Sequence, residues 1–259
     1  LAPPGWSRHV FTNTSALRTA VHAFCGNKAA AESTYGPIES WNVSQITDFR
    51  YLFCAANTEG LTDDGCDVIC REFNDPGINA WDTSSVTTMF NMFRGATHFN
   101  QELNFNTANV RNMKRMFQGA RAFNQPLHFD TSSVTDMERM LHGAITFNQP
   151  LHFDISSLPN SEAMYLMFGS NDALSDCNKA QIRNSFSDQD CSIWHSRYEI
   201  WATLCLSPPT PPSPPCGLNT WNPGQNGWNS GVGGFFASYD QACYNWSMSI
   251  TGPADPASS

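Results

Sequence analysis

The chain is 259 residues long and 41% hydrophobic, which is enough for one or two folded domains with a sizeable core. Its net charge of −9 argues against a nucleic-acid partner and against an anionic membrane surface. The sequence has no run of about 18 apolar residues, so we predict no membrane span. The chain starts at Leu1 without a methionine, which fits a mature form whose signal peptide has been removed.

Residues 1–40 predict an N-terminal cap. The segment 15–24 places Leu17, Val21 and Phe24 on one face of a helix. Such a cap is expected because the first coil of a repeat protein otherwise exposes an apolar end and an unpaired edge.

A motif of 24 residues recurs along the middle of the chain. Trp81, Phe105, Phe129 and Phe153 each lie 24 residues after the one before. A fixed period of this length is typical of a solenoid. The segment that starts at Trp41 matches the same motif.

Each repeat predicts a strand followed by a helix. In the third regular copy, residues 127–130 alternate between apolar and polar side chains, as in a half-buried strand. Ser133 and Asp136 fit a capping box, and the apolar spacings of three and four that follow predict a helix that ends near Gly143. We therefore predict an α/β solenoid over 41–170, a leucine-rich-repeat-like stack of about five strand–helix coils.

Stacking of equivalent residues predicts three columns of side chains. Two columns lie inside the stack, and in the third each side-chain amide bonds to backbone groups of adjacent turns. The apolar columns are Leu103, Leu127 and Leu151, and Phe105, Phe129 and Phe153; the polar column is Asn100, Asn124 and Asn148.

The regular pattern is interrupted at both ends. An insertion of 16 residues around 58–76 carries Asp63, Asp64 and Asp67, for which a solvated acidic loop is favoured over a calcium site. The fifth coil starts at Phe153 and is disturbed at Pro159, after which the apolar face resumes at Met164, Met167 and Phe168. Residues 171–206 predict a C-terminal cap with a helix over 176–183, sealed by Trp194 and Trp201.

Nine cysteines avoid the regular repeats, which favours disulfide staples in an oxidising compartment. Zinc is disfavoured because Cys66 and Cys70 form one pair and no second pair has matching spacing. The odd count leaves one cysteine free or bonded to another chain. The disulfide candidates are Cys25, Cys54, Cys66, Cys70, Cys177, Cys191, Cys205, Cys216 and Cys243.

A proline-rich linker precedes the C-terminal tail. Six of the nine residues in 207–215 are proline, which predicts a stiff polyproline II spacer of about 28 Å. Its composition is also typical of O-glycosylated stalks. The O-glycosylation candidates are Ser207, Pro208, Pro209, Thr210, Pro211, Pro212, Ser213, Pro214 and Pro215.

The tail, 216–259, contains more apolar residues than is usual for a solvent-exposed tail. We expect it to pack against the solenoid of its own chain or against a neighbouring molecule. The candidate assembly contacts are Phe235, Phe236, Tyr239 and Trp246.

Three sites fit the N-glycosylation signal Asn-x-Ser/Thr, namely Asn13, Asn42 and Asn245. Asn42 lies inside a coil, so its side chain must point outward to carry a glycan. Together with the cysteines and the proline run, these signals predict a secreted glycoprotein.

The motif WDTSSVTxMxxMFxxAxxFNQxL resembles the BspA-like surface repeats, or DUF285, first known from a mycoplasma lipoprotein domain of unknown function. The resemblance covers about 41–170 and is most specific in 81–87 and 123–127. It implies a leucine-rich-repeat-like solenoid and a cell-surface or extracellular role in adhesion or assembly, and it carries over no catalytic residue. The segment 35–41 resembles algal and protist members, and the proline run resembles hydroxyproline-rich glycoproteins of green algae.

Two functions remain open. The first is a structural scaffold or filament subunit that self-assembles through its solenoid and tail. The second is a cell-surface adhesin or carbohydrate- or protein-binding module, for which outward-facing histidines and aspartates would line a recognition face. We expect no cofactor and no enzymatic activity, because the sequence has no nucleophile elbow, phosphate loop or zinc motif. The candidate recognition residues are His98, His128, His152, Asp130 and Asp154.

Overall fold

A computed structural model describes residues 8–55 and 66–187. Several predictions lie outside these residues: the linker 207–215, the tail, Asp63 and Asp64, Trp194 and Trp201, Asn245, and Cys191, Cys205, Cys216 and Cys243. The described residues form three α-helices, which are α1 (Thr14–Gly26), α2 (Lys28–Tyr35) and α3 (Asp176–Ser187). They also form four short 3-10 helices: Ile38–Ser40, Val68–Cys70, Pro76–Ala80 and Ser161–Met164.

Helix α1 begins where the sequence predicts it. Asn13 accepts a hydrogen bond on Oδ1 from the N–H of Ala16, at 2.9 Å, and thereby satisfies one of the unpaired donors of the first turn. The predicted apolar face is buried, since Leu17, Val21 and Phe24 are at most 5% exposed. The predicted C-terminal helix is also present, as α3.

The predicted α/β solenoid of strand–helix coils is wrong. The described residues contain no β-strand, and between Trp81 and Pro159 they contain neither an α-helix nor a 3-10 helix. Successive repeats are linked instead by single parallel bridges and further backbone hydrogen bonds, and the backbone between the bridges consists of turns and irregular segments. The bridges are Val10 to Asn42, Asp48 to Thr88, Thr88 to Asn112, and Asn112 to Asp136.

The predicted helix fails because its backbone groups bond to the next repeat. The N–H of Arg115 donates to the carbonyl of Glu138 at 2.9 Å, whereas a helix would pair it four residues back. Arg115 and Gly119 have φ values of +56° and +71°, which a right-handed helix excludes. The apolar spacing of three arises from tight turns, such as the bond from the N–H of Met116 to the carbonyl of Met113. The predicted capping box is absent as well, because Asp136 accepts from the N–H of Glu138, two residues ahead.

The predicted strand fails for a different reason. Its alternation is correct, since Leu127 and Phe129 are buried while His128 and Asp130 are exposed. However, the carbonyl of Asp130 accepts from the hydroxyl of Thr107, at 2.9 Å, rather than from a strand partner. Equivalent bonds run from Thr83 to Asn106 and from Thr131 to Asp154. A side-chain ladder therefore replaces a strand ladder along this part of each repeat.

Stacking in register with the predicted period is confirmed by the aromatic core. The rings of Phe93 and Phe117 stack with centroids 5.6 Å apart, and Phe99, Phe123 and Phe147 follow one another at 5.9 and 6.0 Å. The interplanar angles in both columns are below 10°. The predicted leucine and phenylalanine columns are buried too, and they comprise Leu103, Leu127, Leu151, Phe105, Phe129 and Phe153.

The predicted asparagine column is confirmed atom by atom. Oδ1 of Asn100 accepts from the N–H of Asn124 at 2.9 Å, and Oδ1 of Asn124 accepts from the N–H of Asn148 at 2.8 Å. At the C-terminal end, Oδ1 of Asn148 accepts from the N–H of Ser175 and from Nδ2 of Asn178, both at 2.8 Å. Helix α3 thus completes the ladder with the same bonds that another repeat would make.

We expect Asn124→Ala to destabilise the fold by about 1–3 kcal/mol, because the N–H of the half-buried Asn148 then loses its acceptor. The matched control is Asn109→Ala, an exposed asparagine whose Nδ2 donates to the carbonyl of Ser84. Its loss is expected to change stability by no more than about 0.5 kcal/mol. Urea unfolding of both variants measures the difference, and equal midpoints would contradict a stabilising ladder.

Two glycines at equivalent positions provide a second comparison. Gly95 and Gly119 both have φ near +71°, which costs a side chain about 1–2 kcal/mol. A Cβ on Gly95 would lie 2.2 Å from the backbone oxygen of Ala55, whereas a Cβ on Gly119 would meet nothing closer than 3.9 Å. Gly119→Ala therefore isolates the cost of backbone strain, and we expect Gly95→Ala to lose a further 1–3 kcal/mol or so through overpacking. Thermal denaturation distinguishes the two variants, and a larger loss for Gly119→Ala would be inconsistent with this packing.

Candidate functional surface

The extended face is the row of exposed side chains on the alternating segment of each repeat. The side chains of His128, Asp130, His152 and Asp154 on this face are all exposed, as the sequence predicts. His98 is exposed as well, but it lies beside the insertion, where its backbone N–H donates to the carbonyl of Arg71.

The aspartates of the extended face are held by local turns. Oδ1 of Asp130 accepts from the hydroxyl of Ser132 at 2.6 Å and from its N–H at 3.0 Å, and these two bonds hold the pKa of Asp130 below its ordinary value. Asp82 makes the same pair of bonds to Ser84, with the same effect on its pKa. The face therefore presents carboxylates at Asp82, Asp130 and Asp154, each with one oxygen engaged in the fold, and Asn106 takes the equivalent place in the remaining repeat.

The cysteine predictions are confirmed where the structure describes them. Cys25 bonds to Cys70, which fastens α1 to the insertion, and Cys54 bonds to Cys66. Cys177 is disulfide-bonded too. Because Cys66 and Cys70 belong to different disulfides, they do not form a pair of thiolates for zinc.

No group of three His, Cys, Asp or Glu residues within 8–55 and 66–187 is arranged to hold a metal ion. Asp67, an acid of the insertion, contacts the ring of His22 at 2.8 Å and also accepts from the N–H of Ile69. The hydrogen bond with His22 is the main reason why the pKa of Asp67 lies below its ordinary value. This carboxylate therefore links the insertion to α1.

The two glycosylation candidates that the structure describes, Asn13 and Asn42, accept hydrogen bonds through their side-chain carbonyl oxygens. Asn13 is exposed and caps α1 through Oδ1. Asn42 is half-buried, and its Oδ1 accepts from the N–H and the hydroxyl of Ser44, at 3.1 and 2.8 Å. A glycan attaches to Nδ2, so both bonds are compatible with modification.

A groove of about 690 Å³ lies beside the Cys25–Cys70 disulfide. It runs between α1 and residues 68–75, and its lining includes Phe24, Lys28 and Asp75. Lys28 and Asp75 form an ion pair at 2.6 Å, and this hydrogen bond raises the pKa of Lys28. The pair joins the first residue of α2 to the insertion, which is a structural role.

The turn face is a group of charged residues that the sequence analysis missed. It comprises Arg94, Lys114, Arg115, Glu138 and Arg139, which occupy the turns between the apolar positions of three successive repeats. The helix prediction would spread these residues around a solvent-exposed surface. A clear signal is present in the sequence nevertheless, because Arg115 and Arg139 stand at equivalent positions, 24 residues apart.

Comparison with known proteins assigns a family. The family model described as "Mycoplasma protein of unknown function, DUF285" matches residues 11–61 and 66–180, and the chain belongs to this family. This confirms the family resemblance found in the sequence. No curated protein and no solved structure gives a significant match. None of the helices within 8–55 and 66–187 combines the length and the hydropathy that a membrane-spanning helix requires.

Proposed function

We propose that this protein is a secreted structural glycoprotein, a scaffold or filament subunit without enzymatic activity that acts outside the cell. The observation that carries this proposal is the rigid stack of repeats whose N-terminal helix is fastened by a disulfide. Disulfides persist in oxidising compartments, which supports an extracellular location. Repeat stacks present long, regular surfaces, which suits contacts with neighbouring subunits.

The N-terminal end of the stack disfavours end-to-end addition of subunits. Its backbone acceptors are already occupied: the carbonyl of Asp48 accepts from Thr14, and that of Arg50 accepts from Arg18. The carbonyl of Cys54 accepts from the N–H of Asp67. These three carbonyls are therefore not available to a second stack at the part of this end that the structure describes, and we assign the assembly contact to the tail, 216–259.

Truncation after Leu206 tests this assignment. We expect the full chain to form larger species in size-exclusion chromatography and electron microscopy, and the truncated chain to elute as a monomer. The full-length double variant Phe235→Ser, Phe236→Ser keeps the linker and its glycans, and it is expected to lose assembly as well. Assembly that persists in both variants would exclude the tail as the contact.

The glycosylation part of the proposal has a separate test. We expect glycans on Nδ2 of Asn13 and Asn42, since only the carbonyl oxygens of these side chains are engaged in the described bonds. Enzymatic removal of N-glycans in ¹⁸O water, followed by peptide mass spectrometry, converts each occupied asparagine to labelled aspartate. Unlabelled peptides from secreted material at both sites would refute N-glycosylation there.

The ordered row on the extended face favours a second candidate function, a carbohydrate- or protein-binding module of the cell surface. The fixed Asp130 and Asp154 and the adjacent His128 and His152 offer hydrogen-bonding groups in two successive repeats. A glycan array with the wild-type chain and the double variant His128→Ala, His152→Ala tests this candidate. Binding that the double variant retains in full would exclude these histidines.

A further inference from the structure

His142 is a half-buried titratable residue at the last interface between coils. It belongs to the fourth coil, 129–152, whose turns bond to the last coil, which starts at Phe153. Four backbone N–H groups of the fourth coil donate to carbonyls of the last one at 2.7–2.9 Å: Met137 to Ala163, Arg139 to Tyr165, Leu141 to Met167, and Gly143 to Gly169. The ring of His142 therefore lies where the C-terminal end of the stack is held.

The Nδ1 atom of His142 is packed tightly against the last coil. It is buried and has no hydrogen-bond partner. A Cβ on Gly169 would lie 2.3 Å from this nitrogen, so the ring fits because Gly169 has no side chain. In a neutral ring, Nδ1 can remain an unprotonated acceptor, whereas both nitrogens of the charged ring carry a proton. Protonation would thus place a buried donor against Gly169 without a hydrogen bond, which is a costly arrangement.

The basic groups beside the ring oppose its protonation as well. Burial lowers the pKa of His142 most, followed by the positive charges of Arg139 in the same turn and Arg115 in the coil before. The carbonyl of Leu166 favours the charged ring, but its effect is smaller than these three. A proton on His142 would therefore add a third positive charge to two existing ones.

The acidic groups of the same region are engaged or exposed. Glu138 contacts Lys114 and also lies 3.8 Å from Arg115 and 3.7 Å from Arg139, so three basic side chains share its charge. On the side of the last coil, the ring of Tyr165 lies 5.7 Å from the guanidinium of Arg139. The acidic residues of the last coil are all exposed, namely Asp154, Glu162 and Asp172.

The position of the last coil makes it the part of the stack that opens most readily. Within the described chain it has one neighbouring coil, the fourth, and α3 follows it. Stability in repeat proteins comes largely from contacts between adjacent units, and local opening requires less free energy than global unfolding. A weaker contact at His142 therefore opens this end and leaves the earlier coils folded.

We propose that His142 is an acid-sensitive switch that controls whether the C-terminal end of the stack, 153–187, stays closed. At neutral pH the uncharged ring packs against Gly169 and the last coil remains bonded to the fourth. In mild acid the ring takes up a proton on Nδ1, the contact with Gly169 is lost, and the last coil separates together with α3. This device does not depend on self-assembly or on glycan binding.

The direction of the pH dependence follows from the lowered pKa of His142. The neutral ring is favoured in the closed state, so its contribution to stability is fully present above pH 6.5, the ordinary value for histidine. That contribution is lost as the pH falls through the lowered pKa of the closed state. Closure is therefore expected to weaken below neutral pH, in the range where histidine changes its charge.

Hydrogen exchange of the full-length chain, read by mass spectrometry at pH 7.5 and pH 5.5 and corrected for the intrinsic effect of pH, tests the proposal. Peptides that cover 137–143 report the interface with the last coil, and peptides that cover 89–95 report an earlier interface. His142→Gln introduces the residue that stands at the equivalent position one coil before, Gln118. The control, His152→Gln, removes an exposed histidine of the same coil.

We expect acid to accelerate exchange in 137–143 by roughly tenfold in the wild type and in His152→Gln, and by less than about twofold in His142→Gln. Acid opening that arises from Asp136, whose pKa burial raises, would persist in His142→Gln. The proposal is overturned by equal acceleration in wild type and His142→Gln, by equal acceleration in 89–95, or by none in the wild type.

A titration of the wild-type chain makes the test independent of any variant. Circular dichroism at pH 7.5 checks that His142→Gln is folded, and His142→Asn replaces it if it is not. NMR of the His142 ring in the wild type is expected to give a titration midpoint below 6.5, the ordinary pKa of histidine. A midpoint at or above that value would contradict the switch.

Discussion

Phe117→Ala is expected to destabilise the protein by about 3–5 kcal/mol, the range for large-to-small changes at buried aromatic residues. Phe117 is fully buried and contacts rings in its own repeat and in the one before: Phe123 at 4.1 Å, Phe93 at 5.6 Å and Phe99 at 6.5 Å. Its removal opens a cavity that adjacent repeats cannot fill, because their backbones are held in register by hydrogen bonds. Urea denaturation followed by circular dichroism measures the loss.

Phe90→Ala is the matched control for that experiment. Phe90 is half-buried, and the aromatic contact that the structure gives it is with Tyr51, at the surface. We expect its loss to destabilise the protein by about 1 kcal/mol, near the centre of the range for single substitutions. Losses of similar size in the two variants would show that the stacked rings do not dominate the core.

The second large effect is expected from the disulfide between Cys25 and Cys70. It closes a loop of 45 residues, for which the chain-entropy model gives a stabilisation of about 4 kcal/mol. The double variant Cys25→Ser, Cys70→Ser removes the bond without leaving a free thiol. We expect a correspondingly lower free energy of unfolding in a chemical denaturation experiment.

The disulfide between Cys54 and Cys66 provides the comparison. It spans 12 residues, so the same model gives about 3 kcal/mol for Cys54→Ser, Cys66→Ser. The model thus orders the two double variants, with the longer loop contributing more. If the shorter loop proves the more stabilising, local packing of the insertion rather than chain entropy governs its contribution.

The sequence predicted which side chains are buried but not the backbone that buries them. Apolar residues at spacings of three and four are compatible with a helix and also with consecutive tight turns, so Met113, Met116 and Phe117 fit either structure. The choice depends on long-range bonds, such as that from Arg115 to Glu138 in the next repeat, and local periodicity cannot report these bonds. The sequence predicts a helix end near Gly143, whereas Gly143 and its equivalents Gly95 and Gly119 mark a positive φ within each turn.

The asparagine column was predictable because its bonds follow directly from stacking at a fixed period. Disulfide pairing was not predictable, since the connectivity of nine cysteines depends on which segments meet in space. The turn face was missed because charged residues in an assumed helix suggest ordinary solvent exposure. Its recognition required the observation that equivalent turns of adjacent repeats lie side by side.

The ladder that Asn178 completes has a consequence for how the length of this molecule can change. Each internal copy offers the same donors to one neighbour and the same acceptors to the other, while the first copy meets Thr14 and Arg18 and the last meets α3. Gene duplication or deletion of one 24-residue unit between 81 and 152 leaves both closing contacts intact. The protein can therefore gain or lose whole 24-residue repeats in evolution without any change to the contacts at either end of the stack.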